Sequence, residues 1–460
     1  MKGILGAIAG VFKGLVNNIK DLGSTFAHGD YKTRVSYVIM GFGSIMRKQF
    51  LRGFAFLAIE VLYIYYMITA GAFYLSKFST LGTETSGYNP DGTIKYGDNS
   101  FLILLFGLLT IFFTIAVILL WRSNIRQNRQ AQELLAQGKK LPTSKDDLKS
   151  LLDGNFHKTL LALPITGICV FTILPIIFMI CVAFTNYDRT HQAPSNLFTW
   201  VGFENFKTML SFGEGIGSTF MTVLGWTLVW AFFATFLNYF LGMGLAMLIN
   251  KKEIKFKKFW RTIFVITIAV PQFVSLLYVS KLFAGDGLIN TYLMKWGWID
   301  QALPFWTNPT WAKVTIILIN LWIGIPYLML IATGLLMNIP EDLYESARID
   351  GANKFQMFRK ITLPYMLFVT GPYLLTSFTG NLNNFNVIFL LTKGNPMDIN
   401  LAEKAGHTDL LITWLYKMTV DDTNYKLAAV IGILVFIVTA VISLVVYNML
   451  PSVKDEEGFQ

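Results

Sequence analysis

Charged residues are scarce in this chain of 460 residues. They make up 14% of the sequence, against about 25% in an ordinary soluble domain. Hydrophobic residues make up 54%, which excludes a disordered chain because such chains carry little apolar mass. A single water-soluble fold is also disfavoured, because it could not cover 39 Phe, 19 Tyr and 11 Trp without large exposed apolar patches. The class that remains is a polytopic membrane protein.

Residue types that hold metal ions or form disulfides are also rare. The two cysteines, Cys169 and Cys181, lie in one apolar run without the spacing of a metal site or a disulfide framework. The four histidines are far apart in predicted loops or at their edges, so no metal site is expected. The chain also lacks a P-loop, HExxH, CxxC or GxSxG sequence. We therefore expect no catalytic residues and no cofactor in this chain.

Long apolar runs are what the sequence has in abundance. A run of about 18 or more apolar residues with few charges predicts a transmembrane helix. The alternative, a buried helix of a soluble protein, is disfavoured because the runs are so numerous. The eight predicted spans are residues 53–76, 100–121, 159–184, 221–250, 262–284, 313–337, 365–390 and 426–449.

The basic residues lie mainly on one side of the predicted membrane. With the N-terminus inside, the inner segments hold 27 of the 38 Lys and Arg residues and 14 of the 28 acidic ones. The inner side then carries a formal charge of +13, and the rest of the chain −3. Because cytosolic loops are enriched in basic residues, both termini are predicted to be cytosolic. The overall charge of +10 thus reflects orientation and attraction to anionic membrane lipid, and nucleic-acid binding is not expected.

Two inner segments predict further helices. The first twenty residues predict an amphipathic helix on the inner membrane surface, within a cytosolic N-terminal segment of residues 1–52. Lys13 interrupts its apolar residues, which disfavours a signal peptide. The basic segment 122–158 is predicted to be helical and solvated. The apolar face of the first helix consists of Ile4, Leu5, Ile8, Val11, Phe12, Leu15, Val16 and Ile19.

Ionisable side chains are nearly missing from the predicted spans. Glu60 is the only acidic residue well inside one, and an intramembrane carboxylate is by default a functional hypothesis. We favour the alternative that a neighbouring Lys, Arg or Tyr satisfies Glu60. A proton-coupled carrier needs a chain of buried titratable groups, so this class is disfavoured.

The inner loop between the sixth and seventh predicted spans, residues 338–364, is unusual. Pro340 can begin a helix, and the acidic residues after it favour the positive end of the helix dipole. Gly351 can end that helix in a left-handed backbone conformation. A second short helix is predicted over residues 353–362, and Pro364 then starts the next span. The loop predicts a compact helix–turn–helix, which is either a docking element or an ordinary connector.

This loop resembles the EAA loop of binding-protein-dependent ABC importer permeases. The family pattern is Glu-Ala-Ala, three residues, Gly, nine residues and Ile-x-Leu-Pro; every spacing matches, and Ser346 replaces the second position. The resemblance implies that the loop couples the membrane helices to separate ATPase subunits, which bind ATP and Mg. The implied coupling residues are Glu345, Ser346, Ala347, Asp350, Gly351, Ile361, Leu363 and Pro364.

Further segments resemble the sugar-importing branch of the same family. They include residues 163–188, WVGFENFKTML at 200–210 and LLTKGNP at 390–396, so the resemblance covers about residues 160–450. The two extra helices before this six-helix core resemble those of maltose and malto-oligosaccharide permeases of the MalF type. Some members carry a large folded insert between the third and fourth spans, whereas the loop here has only about 35 residues.

The seventh predicted span carries a dense polar cluster. Asn381, Asn383 and Asn384 fall within four residues of one another, which is costly in a bilayer unless they meet water, a ligand or another helix. Amides and hydroxyls with aromatic rings between them suit a neutral sugar. The alternative is hydrogen bonding to a helix of a partner subunit. Pro372 and Gly380 would let this helix kink or unwind.

The resemblance also implies sugar contacts, position by position. Three stretches align with the family's binding segments: AVPQFVS at 269–275, WIGIPY at 322–327 and SFTGNLNNF at 377–385. Gly380 and Ile268 stand where the maltose protein has aromatic residues, so a longer oligosaccharide is expected to fit. The implied substrate-binding residues are Gln272, Ile323, Gly324, Tyr327, Ser377, Gly380, Asn381 and Asn384.

The sequence thus predicts an all-α integral membrane protein of the plasma membrane. Two additional helices and a linker occupy residues 53–158, the permease core residues 159–450, and a cytosolic tail residues 451–460. The expected function is that of a permease subunit in an ATP-driven importer of malto-oligosaccharides. The expected partners are a second permease of the MalG type, two ATPase subunits and an extracytoplasmic solute-binding protein. The alternatives are a permease for a galacto-oligosaccharide or similar sugar, a secondary carrier working alone, and a membrane-embedded glycosyltransferase.

Overall fold

The computed structural model describes most of the chain. The predicted tail, residues 451–460, lies outside the described residues. The described chain forms two compact units. Unit 1 comprises Met1–Cys181 and Thr190–Trp200, and unit 2 comprises Val182–Arg189 and Val201–Gln460. The described residues are 2–192, 196–211, 213, 215–251 and 253–450.

Unit 1 is helical, with one small antiparallel hairpin in the predicted outer loop. The predicted N-terminal helix is present and continues beyond its twentieth residue to His28. The elements are α1 (Lys2–His28), α2 (Tyr31–Val35), α3 (Phe42–Met46), α4 (Phe50–Lys77), β1 (Gly87–Tyr88), β2 (Ile94–Lys95), α5 (Ser100–Ala136), α6 (Ser144–Leu152) and α7 (Phe156–Val182).

Unit 2 is built from long helices and shorter ones that flank them. Its elements are α8 (Glu204–Met209), α9 (Ile216–Asn250), α10 (Lys257–Ala269), α11 (Gln272–Leu282), α12 (Leu288–Lys295), α13 (Pro309–Leu336), α14 (Glu341–Ile349), α15 (Lys354–Leu382), α16 (Phe385–Leu391), α17 (Leu411–Val420) and α18 (Tyr425–Met449).

The helices confirm the all-α membrane class. Among the described residues, seven single helices are long and apolar enough to cross a membrane: α4, α5, α7, α9, α13, α15 and α18. The bent pair α10 and α11 makes eight when it is counted as one span. Each of the eight predicted apolar runs therefore falls on helix.

The fifth predicted span, 262–284, is not one continuous helix. It is divided between α10 and α11, whose axes differ by 91°. Pro271 causes this break, because it has no amide hydrogen and disfavours helical geometry in the residue before it. Val270 accordingly has an extended backbone, with φ −78° and ψ 126°.

The seventh predicted span, 365–390, is also divided. The break lies at Asn383 and Asn384, between α15 and α16. Pro372 and Gly380, where we expected the helix to kink or unwind, both lie inside α15, and the helix ends at Leu382, shortly after Gly380. Asn384 instead starts the next helix, since its side-chain oxygen accepts a hydrogen bond from the Val387 amide at 3.3 Å.

A five-residue π-helical turn precedes a proline in both α7 and α15. The turns are Cys169–Ile173 before Pro175 and Phe358–Thr362 before Pro364. A proline inside a helix lacks one donor and clashes with the carbonyl four residues earlier; the wider π turn relieves this locally. The α-helical part of the seventh span begins at Leu363 with Pro364 in its first turn, as predicted, and the π turn joins it without a break to the helix that begins at Lys354.

The extension of α5 beyond its predicted span is buried on one face. Asn124 and Asn128 are buried, and the Arg47 guanidinium donates to Asn128 Oδ1 at 2.6 Å. Arg47 also pairs with the Asp30 carboxylate at 2.7 Å. Burial favours a higher pKa for Asp30, but hydrogen bonds from Thr33 and the charge of Arg47 hold that pKa below its ordinary value. The prediction that this segment is simply solvated is wrong.

Glu60, the carboxylate inside a predicted span, is bonded to the backbone. Its Oε2 accepts a hydrogen bond from the Met40 amide at 2.8 Å. The hydrogen-bond donor to Glu60 is therefore a main-chain N–H rather than the Lys, Arg or Tyr that we expected. A carboxylate held in this way joins α4 to the segment before α3.

The core of unit 2 joins the second halves of the two broken spans. Trp230 of α9, Leu276 of α11, Ile316 of α13 and Val387 of α16 are fully buried in one apolar cluster. Ser280 of α11 donates to the Leu391 carbonyl of α16 at 2.6 Å. The two short helices that follow the breaks are thus packed and bonded to each other.

Candidate substrate pathway and coupling loop

A cavity of about 280 Å³ lies at the break between α10 and α11. It brings together three of the predicted substrate-binding residues, Gln272, Ile323 and Tyr327. Irregular backbone at membrane depth is tolerated where it lines a cavity, so the break and the cavity belong together. Ile268 also lines the cavity. It is one of the two positions at which the sequence comparison above expects an aromatic residue in the maltose protein. The remaining lining residues of the cavity are Thr267, Ala269, Val270, Pro271, Ser275 and Trp322.

The lining of this cavity is uncharged and combines polar groups with a larger apolar surface. Gln272 supplies an amide, Ser275 a hydroxyl, and Trp322 and Tyr327 aromatic rings. Sequence reasoning missed Trp322 and Ser275, although both fall in the stretches that were aligned with binding segments. Both residues could have been predicted from the sequence, because Trp322 is the first residue of WIGIPY and Ser275 is the last residue of AVPQFVS.

The amides at the end of α15 find partners within the chain. Asn381 donates to the Thr235 hydroxyl of α9 at 3.0 Å, and Asn384 donates to Asn381 Oδ1 at 3.3 Å. Asn383 donates to the Thr379 carbonyl at 3.4 Å. These residues do not line the cavity beside Gln272. They form a second polar group at the break between α15 and α16.

Ser377, the remaining predicted contact on α15, is half-buried inside that helix. It is not among the residues that line the cavity beside Gln272.

The two predicted glycines of the site have different surroundings. A Cβ at Gly380 would meet no atom within 4 Å, so this position faces open space. A Cβ at Gly324 would lie 2.7 Å from the side-chain nitrogen and oxygen of Asn238. Gly324 thus permits close packing of α13 on the buried Asn238 of α9. The structure therefore shows a packing role for Gly324.

Replacing Gly324 by alanine is expected to destabilise the protein. The added methyl group must displace the buried Asn238 amide, and overpacking of this kind costs about 1–3 kcal/mol. Gly334 on the same helix is the matched control, because its Cβ would meet no atom within 4 Å. Thermal unfolding in detergent should show a lower midpoint temperature for Gly324→Ala than for the wild type. The midpoint temperature of Gly334→Ala should not be lowered. Equal midpoints would contradict the close approach of α9 and α13.

The predicted coupling loop forms α14, a turn and the start of α15. Gly351 has φ +79°, and its amide donates to the Arg348 carbonyl at 3.0 Å. The Ala352 amide donates to the Ala347 carbonyl at 2.9 Å, which completes a Schellman motif. The prediction that Gly351 ends this helix in a left-handed conformation is confirmed.

The predicted coupling residues of the loop differ in position and burial. Ile361 and Leu363 are half-buried at its base, whereas Pro364 is exposed. The Tyr344 hydroxyl is 2.9 Å from the Thr362 hydroxyl, which ties α14 to the lower part of α15. The other predicted residues lie on α14 or in its turn, mostly exposed: Glu345, Ser346, Ala347, Asp350 and Gly351. The loop is therefore a small structured body joined directly to a membrane helix.

Comparisons with known proteins agree with this architecture. The sequence profile of the family described as binding-protein-dependent transport system inner membrane component matches residues 238–454. The chain is 34% identical over 435 residues to the maltodextrin transport system permease protein MalC of Streptococcus pneumoniae, covering 93% of this chain and 97% of MalC. It is 35% identical over 422 residues to the galactooligosaccharides transport system permease protein GanP of Bacillus subtilis, covering 91% of this chain and 97% of GanP.

A solved structure shows the same fold. It is a bacterial alginate ABC transporter in complex with an alginate pentasaccharide-bound periplasmic protein, with a TM-score of 0.53 and 24% identity over 65% of this chain and 96% of that one. The chain belongs to the family of binding-protein-dependent transport system inner membrane components, the permease subunits of ABC importers. It is a multi-pass plasma-membrane protein and a transport component rather than an enzyme.

Proposed function

We propose that this chain is the permease subunit of an ATP-driven importer of malto-oligosaccharides and forms half of its translocation pathway. The cavity at the break between α10 and α11 is the observation that carries this proposal. It offers an amide, hydroxyls and aromatic rings without a charged side chain. A neutral sugar has hydroxyl groups for the polar residues and apolar ring faces for Trp322 and Tyr327. The similarity to the maltodextrin permease MalC supports this class of substrate.

In this proposal the coupling loop binds one of two ATPase subunits. The loop exposes apolar side chains, Leu343, Ile349 and Phe355, beside the acidic residues of α14. ATP and Mg bind to those subunits, and a second permease of the MalG type completes the pathway. Both termini are cytosolic, as the distribution of basic residues predicts. ATP binding shifts the pathway from an inward-facing to an outward-facing state.

A galacto-oligosaccharide is the second candidate substrate, because GanP is as similar to this chain as MalC is. Uptake of labelled maltotriose into cells that express the complete transporter decides between the two. We expect unlabelled malto-oligosaccharides to compete for uptake and galacto-oligosaccharides not to compete. Failure of these cells to take up maltotriose, together with uptake of a labelled galacto-oligosaccharide, would replace the proposed substrate with the second one.

Replacing Gly351 by aspartate is expected to uncouple transport from ATP hydrolysis. The added carboxylate lies beside Asp350 on the proposed docking surface, so sugar-stimulated ATPase activity should fall by about tenfold or more. Gly351→Asn is the matched control, because asparagine tolerates the same left-handed backbone without a charge. The measurement is ATPase activity and uptake in proteoliposomes. Full transport by Gly351→Asp would refute the assignment of the coupling loop.

Replacing Gly380 by phenylalanine is expected to discriminate against long substrates. The position is open, so the ring can be accommodated, and it narrows the pathway at a predicted contact. Uptake of maltohexaose should fall more than uptake of maltose. Gly225→Phe is the control, because Gly225 is also open but belongs to no predicted contact. Equal loss for all chain lengths would remove the hypothesis that Gly380 sets the length limit.

A further inference from the structure

The segment between α16 and α17, residues 392–410, folds into a compact structure that we call the outer knob. The coupling loop precedes α15, and the outer knob follows it. Because α15 and α16 together make up the predicted seventh span, the outer knob lies on the face opposite to the coupling loop. The function proposed above does not use this segment.

A buried ion pair holds the outer knob. Lys417 Nζ lies 2.6 Å from Asp409 Oδ2, and the two side chains are 6% and 0% exposed. Asp409 also accepts hydrogen bonds from the Gly406 amide at 2.7 Å and the Thr413 hydroxyl at 2.9 Å. Burial raises the pKa of the Asp409 carboxyl, while the Lys417 ammonium opposes that rise. Bonded on both oxygens, this carboxylate anchors the knob to α17.

The backbone of the outer knob is strained at several positions. Lys393, Glu403 and Lys404 have φ angles of 52°, 49° and 52°, a left-handed region that side chains other than glycine rarely adopt. Such strain persists only where surrounding contacts overdetermine the conformation, and it tends to occur at functional loops. One such contact joins the Thr392 and Thr408 hydroxyls, 2.8 Å apart across the base of the knob.

The tip of the outer knob carries solvent-exposed apolar side chains. Ile399 is 100% exposed and Met397 is 56% exposed. Between them, Asp398 Oδ2 lies 3.2 Å from His407 Nε2, and Asp398 Oδ1 accepts from the Asn400 amide at 2.9 Å. The tip is therefore fixed from both sides while its apolar residues remain in solvent. A preordered apolar contact of this kind loses little conformational entropy on binding a partner.

The outer knob is also connected to the polar groups of the pathway. It continues directly from α16, which begins beside Asn384. The last residue of α16, Leu391, accepts the hydrogen bond from Ser280 of α11, and α11 begins at Gln272. Displacement of the knob would thus act on the two short helices whose inner ends carry predicted substrate-binding residues.

We propose that Met397 and Ile399 form a docking contact for the solute-binding protein. The family is binding-protein-dependent by its own description, and a binding protein delivers its substrate to the face opposite the ATPases. The knob is on that face. The inference rests on the proposed function only in requiring a binding protein as partner; it does not depend on which sugar is carried.

The test replaces Ile399 by aspartate in the complete transporter, held in lipid nanodiscs. The probe is the solute-binding protein that supports uptake by the wild-type complex, labelled with a fluorophore. Ile399 is fully exposed, so the substitution leaves the fold intact, and the new charge opposes burial at the interface. We expect the dissociation constant of the binding protein to rise by about tenfold. Stimulated ATPase activity should approach the wild-type maximum when the binding protein is saturating.

The matched control is Ile94→Asp in the hairpin of unit 1, because Ile94 is also exposed. It should leave the dissociation constant unchanged. An unchanged dissociation constant for Ile399→Asp would overturn the proposal. An equal rise of the dissociation constant in both variants would also overturn the proposal, because the added negative charge alone would then explain the weaker binding. Binding is measured without transport, so failure of the sugar assignment would appear separately, as absence of malto-oligosaccharide uptake.

Discussion

Hydrocarbon offers no hydrogen bonds to a polypeptide, and this constraint explains where the structure is irregular. Two membrane runs are interrupted, at Pro271 and at Asn383–Asn384. An interruption facing lipid would leave amides and carbonyls unsatisfied. The first lies on a cavity, and the second is satisfied by Asn384 and its neighbours. The segments beyond the interruptions, α11 and α16, pack together. The polar groups of the pathway therefore occur where the helices had to be broken.

Much of this architecture could be predicted from the sequence, because hydropathy and spacing are local properties. The apolar runs and the left-handed Gly351 were visible in this way. Hydropathy could not reveal the bend at Pro271, since apolar residues continue on both sides of it. The continuity of α15 through Pro364 depends on a π turn, which has no clear sequence signature.

The distribution of charge separates two tasks within the chain. The cavity contains no ionisable carboxylate or amine, which suits the neutral substrate proposed for it. Ionic contacts with at least one buried side chain lie instead beyond the spans, as in Asp409–Lys417 and Arg47–Asp30. There they fix loops in single conformations. Both pairs receive further hydrogen bonds, as a buried charge requires.

The continuity of α15 has a mechanical consequence. Its 29 residues from Lys354 to Leu382 span about 43 Å at about 1.5 Å per residue. The helix starts in the loop tied to α14 and ends beside Asn383 and Asn384. We consider a rotation of this rigid helix about Lys354, its first residue. Tilting such a rod by about 5° would move its far end by about 4 Å, more than the length of a hydrogen bond. Small rotations at one face are thereby large enough to remake the amide contacts deep in the membrane.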